Sequence, residues 1–166
     1  MNLSQALLAE FDQEMASTRK TLERLPMDKY DWQPHSKSFS IGKLAVHLAQ
    51  IPGWGTVTAQ TSELDFSKPF EQPNPRTTQE LLAFFDENVA QARAALAGMS
   101  EEDFGKPWTL RNGEQVFFTA PKAMVLRSFV MNHLVHHRAQ LTVYLRLNDI
   151  PVPALYGPSA DENVFG

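Results

Sequence analysis

Apolar residues recur at steps of mostly three or four through the opening of the chain, at Leu3, Leu7, Phe11, Met15, Leu22 and Leu25. That spacing keeps one face of a 3.6-residue turn apolar and predicts a first helix that stops before Pro26. The run MDKYDWQPHSKSFS, broken by Pro34, reads as a connecting loop, with Ser40 placed to cap the next helix. From Ile41, the positions Leu44, His47, Leu48 and Ile51 mark a second helical face. Pro52 and Gly53 are expected to kink or end it, because proline lacks a donor and crowds the preceding turn; its far boundary falls near Gln60. Residues 66–76 contain three prolines and almost no period, which predicts a long crossover loop.

Thr77 and Glu80 match a capping box, and Leu81, Leu82, Phe85, Val89, Ala92 and Leu96 continue as a third helix with Gly98 just beyond. In WTLRNGEQVFFT, Asn112 and Gly113 lie between strand-like runs, and Asn-Gly favours the positive φ of a tight hairpin turn. A last long helix is predicted from near Pro121 through Leu126, Val130, His133, His137, Leu141 and Tyr144. The tail beyond Asn148 has three prolines and no period, so it is expected to lie extended over the bundle or stay partly mobile. The fold class that emerges is all-α: a four-helix bundle with a long crossover connection and a small β-hairpin before the last helix. At 166 residues, one domain spanning residues 1–166 can bury its own core.

Composition narrows the function classes. There is no cysteine, so disulfides and thiolate ligands are excluded and any metal must be held by histidine, carboxylate or water. A net charge of −4 with scattered Lys and Arg offers no basic stripe for phosphates, which argues against nucleic acid as a partner and for a small molecule. No stretch reaches the roughly 20 apolar residues of a membrane span. The N-terminus reads as a mature helix and not as a signal peptide, so a cytoplasmic location is expected.

The chemistry sits in the histidines. His133 and His137 are four apart, which on one helix puts them about 6 Å apart along the axis and about 40° apart around it. Such a pair can present two imidazole nitrogens to one ion, with the third ligand from another element. His47 lies on the apolar side of the second helix, so in a bundle it points toward the face that carries the pair. A lone inward histidine is more often satisfied by a carbonyl or water. Three together change that weighting, because one metal ion satisfies all three, whereas protonating them adds repulsion. His136 is about 100° around the helix from His137 and cannot share its direction, which leaves it a supporting or structural role. His35, beside Pro34, is expected to face solvent. Arg138, Gln140 and Tyr144 lie near the pair with roles open, Arg138 reading as solvated and Tyr144 as core filling. Signatures of zincins, α/β-hydrolases, phosphate loops and dinucleotide sites are missing.

The segment FSIGKLAVHLA around His47 and the segment NHLVHHRAQL around His133 and His137 resemble the DinB-like, or DinB/YfiT-like, superfamily of metalloenzymes. The ending LYGPSADE is also similar to the tails of that family. The resemblance implies an up-down-down-up bundle, frequent homodimers, and a three-histidine site for zinc, nickel or iron, with His47, His133 and His137 as metal ligands. Position 139 is alanine where many relatives have glycine, a change a helix tolerates. Relatives include thiol-dependent S-transferases using bacillithiol, mycothiol or glutathione, a maleylpyruvate isomerase, and members with no assigned activity. The readings in competition are therefore a metal-dependent enzyme, with thiol S-transfer ahead of hydrolysis, and a non-catalytic metal- or ligand-binding bundle involved in stress response. Catalytic residues are not assigned; Asp161 or Glu162 reach the site only if the tail folds back, and otherwise read as solvated. An open coordination position is expected to face a cavity lined by the second and fourth helices and bordered by Trp54 and Tyr144.

Overall fold

A computed structural model describes residues 3–69 and 72–163; two positions of the crossover, 70 and 71, and positions 164–166 of the tail lie outside the described residues. The chain forms α1 (Leu3–Leu22), α2 (Ile41–Gln60), β1 (Glu63–Asp65), α3 (Thr78–Ala97), α4 (Glu101–Gly105), β2 (Pro107–Asn112) and β3 (Gln115–Pro121). It ends in a continuous helix over 122–147, made of α5 (Lys122–Val125), a π-helical stretch (Leu126–Asn132) and α6 (His133–Leu147). The four long helices form a ring in which α1 and α2 each pack on both α3 and α6, so each pair stands on a diagonal. Phe11, Leu22, Leu44, Leu48, Ile51, Leu81, Phe85, Leu134 and Leu141 fill the middle and are all but inaccessible. Deleting any one of these leucine side chains is expected to cost about 2–5 kcal/mol.

Local chemistry fixes the start of α2, the helix that carries His47. The Ser40 side chain accepts from the Lys43 amide at 3.3 Å. The Ile41 and Gly42 amides donate backward to the Trp32 and Tyr30 carbonyls, at 2.8 and 3.0 Å. All three are first-turn amides that lack partners inside the helix. A Cβ on Gly42 would lie 2.2 Å from the Tyr30 ring, so only glycine lets the preceding segment close this tightly. Pro52 does not end the helix, which continues to Gln60. The Asn88 amide of α3 donates to the Ala49 carbonyl at 3.0 Å, so a neighbouring side chain bonds the backbone beside the turn where proline removes a donor.

Several boundaries differ from those read off the sequence. The hairpin turn is shifted by one: Asn112 pairs with Gln115 in the ladder, and the loop is Gly113-Glu114, with Gly113 at φ +58. The sheet has a third strand, β1, paired in parallel with β2 through Glu63↔Thr109, Leu64↔Leu110 and Asp65↔Arg111. At Thr77 the capping box is half formed: its side chain accepts from the Glu80 amide, while Glu80 reaches past it to the Arg76 amide at 2.7 Å. The complete box is at Ser100 and Asp103, opening the short α4. The tail is pinned. Ser159 donates to the Val152 carbonyl, Asp161 bonds the Val152 amide, and Glu162 bonds the Ala154 amide.

The sheet has its own small core of Trp108, Leu110 and Val125, closed by Val57, Leu64, Phe118 and Phe129. Buried Lys122, whose pKa burial lowers, donates to the Ala59 carbonyl at 2.7 Å and so ties the first turn of the last helix to the last turn of α2. The two histidine-bearing helices are thereby fixed in register at one end.

Candidate metal centre

His47, His133 and His137 meet, each half-buried, with a nitrogen from each within 4.8 Å of the others. The His133 Nε2 lies 2.8 Å from His137 Nε2 and 3.4 Å from His47 Nε2. Nitrogens bound at 2.0–2.1 Å to one tetrahedral ion stand about 3.3 Å apart, so the group is already close to ligating dimensions.

The outer ring nitrogens decide what those inner atoms can do. A carbonyl only accepts, so His133 carries its proton on Nδ1, donating to the Phe129 carbonyl at 3.3 Å, and leaves a lone pair on Nε2. His137 does the same with the Gln140 Oε1 at 2.7 Å. Two lone pairs thus face each other 2.8 Å apart. A shared proton would make an imidazolium, which this environment resists: burial first, then the positive charge of His137 and His133, hold His47 down to about 4. Burial is also the leading cause of the lowered pKa of His133 and of His137. Two imidazoles with facing lone pairs, and a third ring nitrogen beside them on His47, fit a divalent cation.

The π-helical stretch ends at Asn132, immediately before His133. In this wider turn the Phe129 carbonyl is presented to the His133 ring, while the Phe129 ring stacks on Trp54 at 4.8 Å and 11°. Trp54 in turn lies 5.5 Å from His47 and 5.4 Å from His133, centroid to centroid. The small core under the sheet therefore braces the trio from below. Gln140 was within view in the sequence; the Phe129 carbonyl was not, because a backbone acceptor leaves no residue-type signal.

A cavity of about 610 Å³ opens beside His47. Its walls are α2, β1 and the chain after β1, and not α2 with the last helix as expected. Trp54 borders it; Tyr144 instead borders a separate opening at His137 and Gln140 and packs edge-on against Trp32. His136 is exposed and touches only the His137 ring among the trio, and His35 is exposed in its loop. Asp161 and Glu162 stay partly exposed at the surface, where they pair with Arg146 and Arg24 and not with the trio. Arg138 is the largest departure. It is about 1% exposed, bonds the Glu14 carboxylate at 2.6 Å and the Thr18 hydroxyl at 3.2 Å, and shares Glu14 with the Tyr156 hydroxyl.

The sequence pattern of the DinB family matches residues 1–163. The chain belongs to the DinB family. A curated relative, the uncharacterized protein YrdA of Bacillus subtilis, is 28% identical over 160 residues, covering 93% of this chain and 89% of that protein. A crystal structure of a DinB-like protein from Bacillus cereus superposes with a TM-score of 0.69 at 20% identity, over 92% of this chain and 97% of the other. The DinB-like protein YjoA of Bacillus subtilis gives 0.66 at 17% identity, over 88% and 95%. These two likenesses establish the DinB-like helical fold. Among the described residues, no helix of this DinB-family chain is long and apolar enough to cross a membrane.

Proposed function

We propose that the protein is a cytoplasmic metal-dependent enzyme, a thiol S-transferase, in which His47, His133 and His137 hold zinc, nickel or iron. The observation that carries this reading is the convergence of Nε2 lone pairs whose opposite nitrogens are already engaged. Three protein ligands leave room for a further ligand, as open sites do. When bound, a divalent ion supplies Lewis acidity that converts a thiol to its more nucleophilic thiolate.

Thiol transfer is preferred to hydrolysis for a reason of charge. Hydrolysis calls for a general base close to the ion. Both described carboxylates in the cavity wall are committed: Glu63 to Arg111 at 3.0 Å, and Asp65 to the Gly113 and Ser67 amides and the Ser67 hydroxyl. A thiol loses its proton more readily and depends less on such a base. The chain's own residues would orient the reaction: Gln140 and the Phe129 carbonyl hold the rings, and Trp54 screens the trio from water on one side. We also propose a homodimer, supported by Val143 and Leu147, exposed apolar residues one turn apart on α6.

The test is elemental analysis of untagged protein, followed by turnover of an electrophile such as 1-chloro-2,4-dinitrobenzene with glutathione, bacillithiol or mycothiol. About one equivalent of metal per chain, and thiol-dependent product that chelation abolishes, is the expected result. Metal without turnover across the thiols would favour a binding module, and no metal would remove the reading altogether.

A further inference from the structure

Three openings that reach the trio are each bordered by a lysine that bonds no carboxylate among the described residues. Lys68 borders the large cavity beside His47, Lys43 a second opening at His47, and Lys37 the opening at His137. By contrast, the ion pairs among the described residues engage arginines almost throughout, along with Lys106. Glu63 and Asp65, the described acids lining the large cavity, are both paired with Arg111. Arg111 offsets one of those two negative charges and Lys68 the other, so the large cavity is close to neutral with Lys68 as the cation in its wall, while the described linings of the openings at Lys43 and Lys37 hold a lysine and no acid. An ion held by three neutral imidazoles would add its full positive charge to the same region.

Apart from Gln50 and Gln72, the rest of the large cavity is apolar. Trp54, Val57, Leu64 and Phe66 form its walls, and its volume of about 610 Å³ lies within the range that encloses small organic ligands. Flat walls of this kind favour an aromatic or otherwise apolar body over a strongly hydrated one. We propose that the substrate entering beside His47 is an aromatic or apolar molecule carrying a carboxylate, its body against Trp54 and Phe66 and its anionic group at Lys68. This deepens the proposed function and rests on it for the word substrate. The binding preference itself depends on Lys68 and the apolar wall.

The test uses 2-naphthoate and its neutral isostere 2-naphthamide, titrated calorimetrically into the full-length protein as purified and again after chelation. Naphthoate should bind about fivefold more tightly, the most that one exposed charge pair ordinarily supplies. The preference should disappear in Lys68→Gln, persist in Lys20→Gln, whose lysine is exposed on α1, and shrink with added salt. Equal binding of the two probes overturns the proposal. So does a preference that survives Lys68→Gln; if that preference vanishes on chelation, the carboxylate was reading the metal, and the metal-enzyme reading stands while this one falls. A Lys68-dependent preference in protein that holds no metal has the opposite meaning.

Discussion

Two polar clusters lie inside this bundle, one residue apart on the same helix, and they are built on opposite plans. Arg138, Glu14, Thr18 and Tyr156 form a closed set in which a buried charge meets its opposite and the donors find acceptors. His137, with His133 and His47, forms an open set in which the first two turn their lone pairs on one another beside the His47 ring nitrogen. A closed set holds the fold together; an open one holds a place for something else. Burial alone does not separate them, but the sign and direction of the polar atoms do.

The largest expected effect is on metal content. His47→Ala, His133→Ala and His137→Ala should each lose nearly all bound metal, measured by elemental analysis, while exposed His136→Ala keeps most of it. Equal losses from His136 and His137 would break the assignment of the open set.

Next comes stability. Arg138→Ala strands a buried Glu14 carboxylate and should cost roughly 3–5 kcal/mol in urea unfolding. His137→Ala in chelated protein should cost far less, because it removes one hydrogen bond to Gln140 and relieves the facing lone pair of His133, leaving no buried charge unpaired. If the two variants were equally unstable without metal, the comparison between closed and open sets would fail.

Gln140→Ala sharpens the comparison from within the open set. Losing the acceptor that orients His137 should weaken metal affinity about 10–100-fold, with little change in unfolding. A chelator competition assay reads it, and an unchanged affinity would make Gln140 a bystander.

The smallest effect is on pH. The folded pKa of His47 lies near 4, below the unfolded value of about 6.5, so between those values the unfolded chain binds more protons. The stability of the metal-free protein should therefore decline as pH falls from about 6.5 towards 4, and His47→Asn should flatten that part of the curve. An increase in stability over the same window would mean that the imidazoles carry charge in the folded state.

Sequence alone determined the face of each long helix, the Ser40 cap, the divergence of His136 from His137 and the convergence of His47 with His133 and His137. These are consequences of helical period, which acts within a few residues and repeats along the chain. Tertiary structure decided what that period cannot express. Arg138 looked solvated because its helix face says nothing about Glu14, 124 residues earlier, waiting with an opposite charge. β1 is three residues long, too short for alternation to register, and exists because β2 stands beside it. The π-helical stretch leaves the apolar pattern readable as an ordinary helix, yet it turns the Phe129 carbonyl toward His133. The tail's acids found Arg24 and Arg146 instead of the metal centre, since a chain without period is placed by the partners it meets. Local spacing selects which residues point inward, and only the packed molecule supplies the groups they point at.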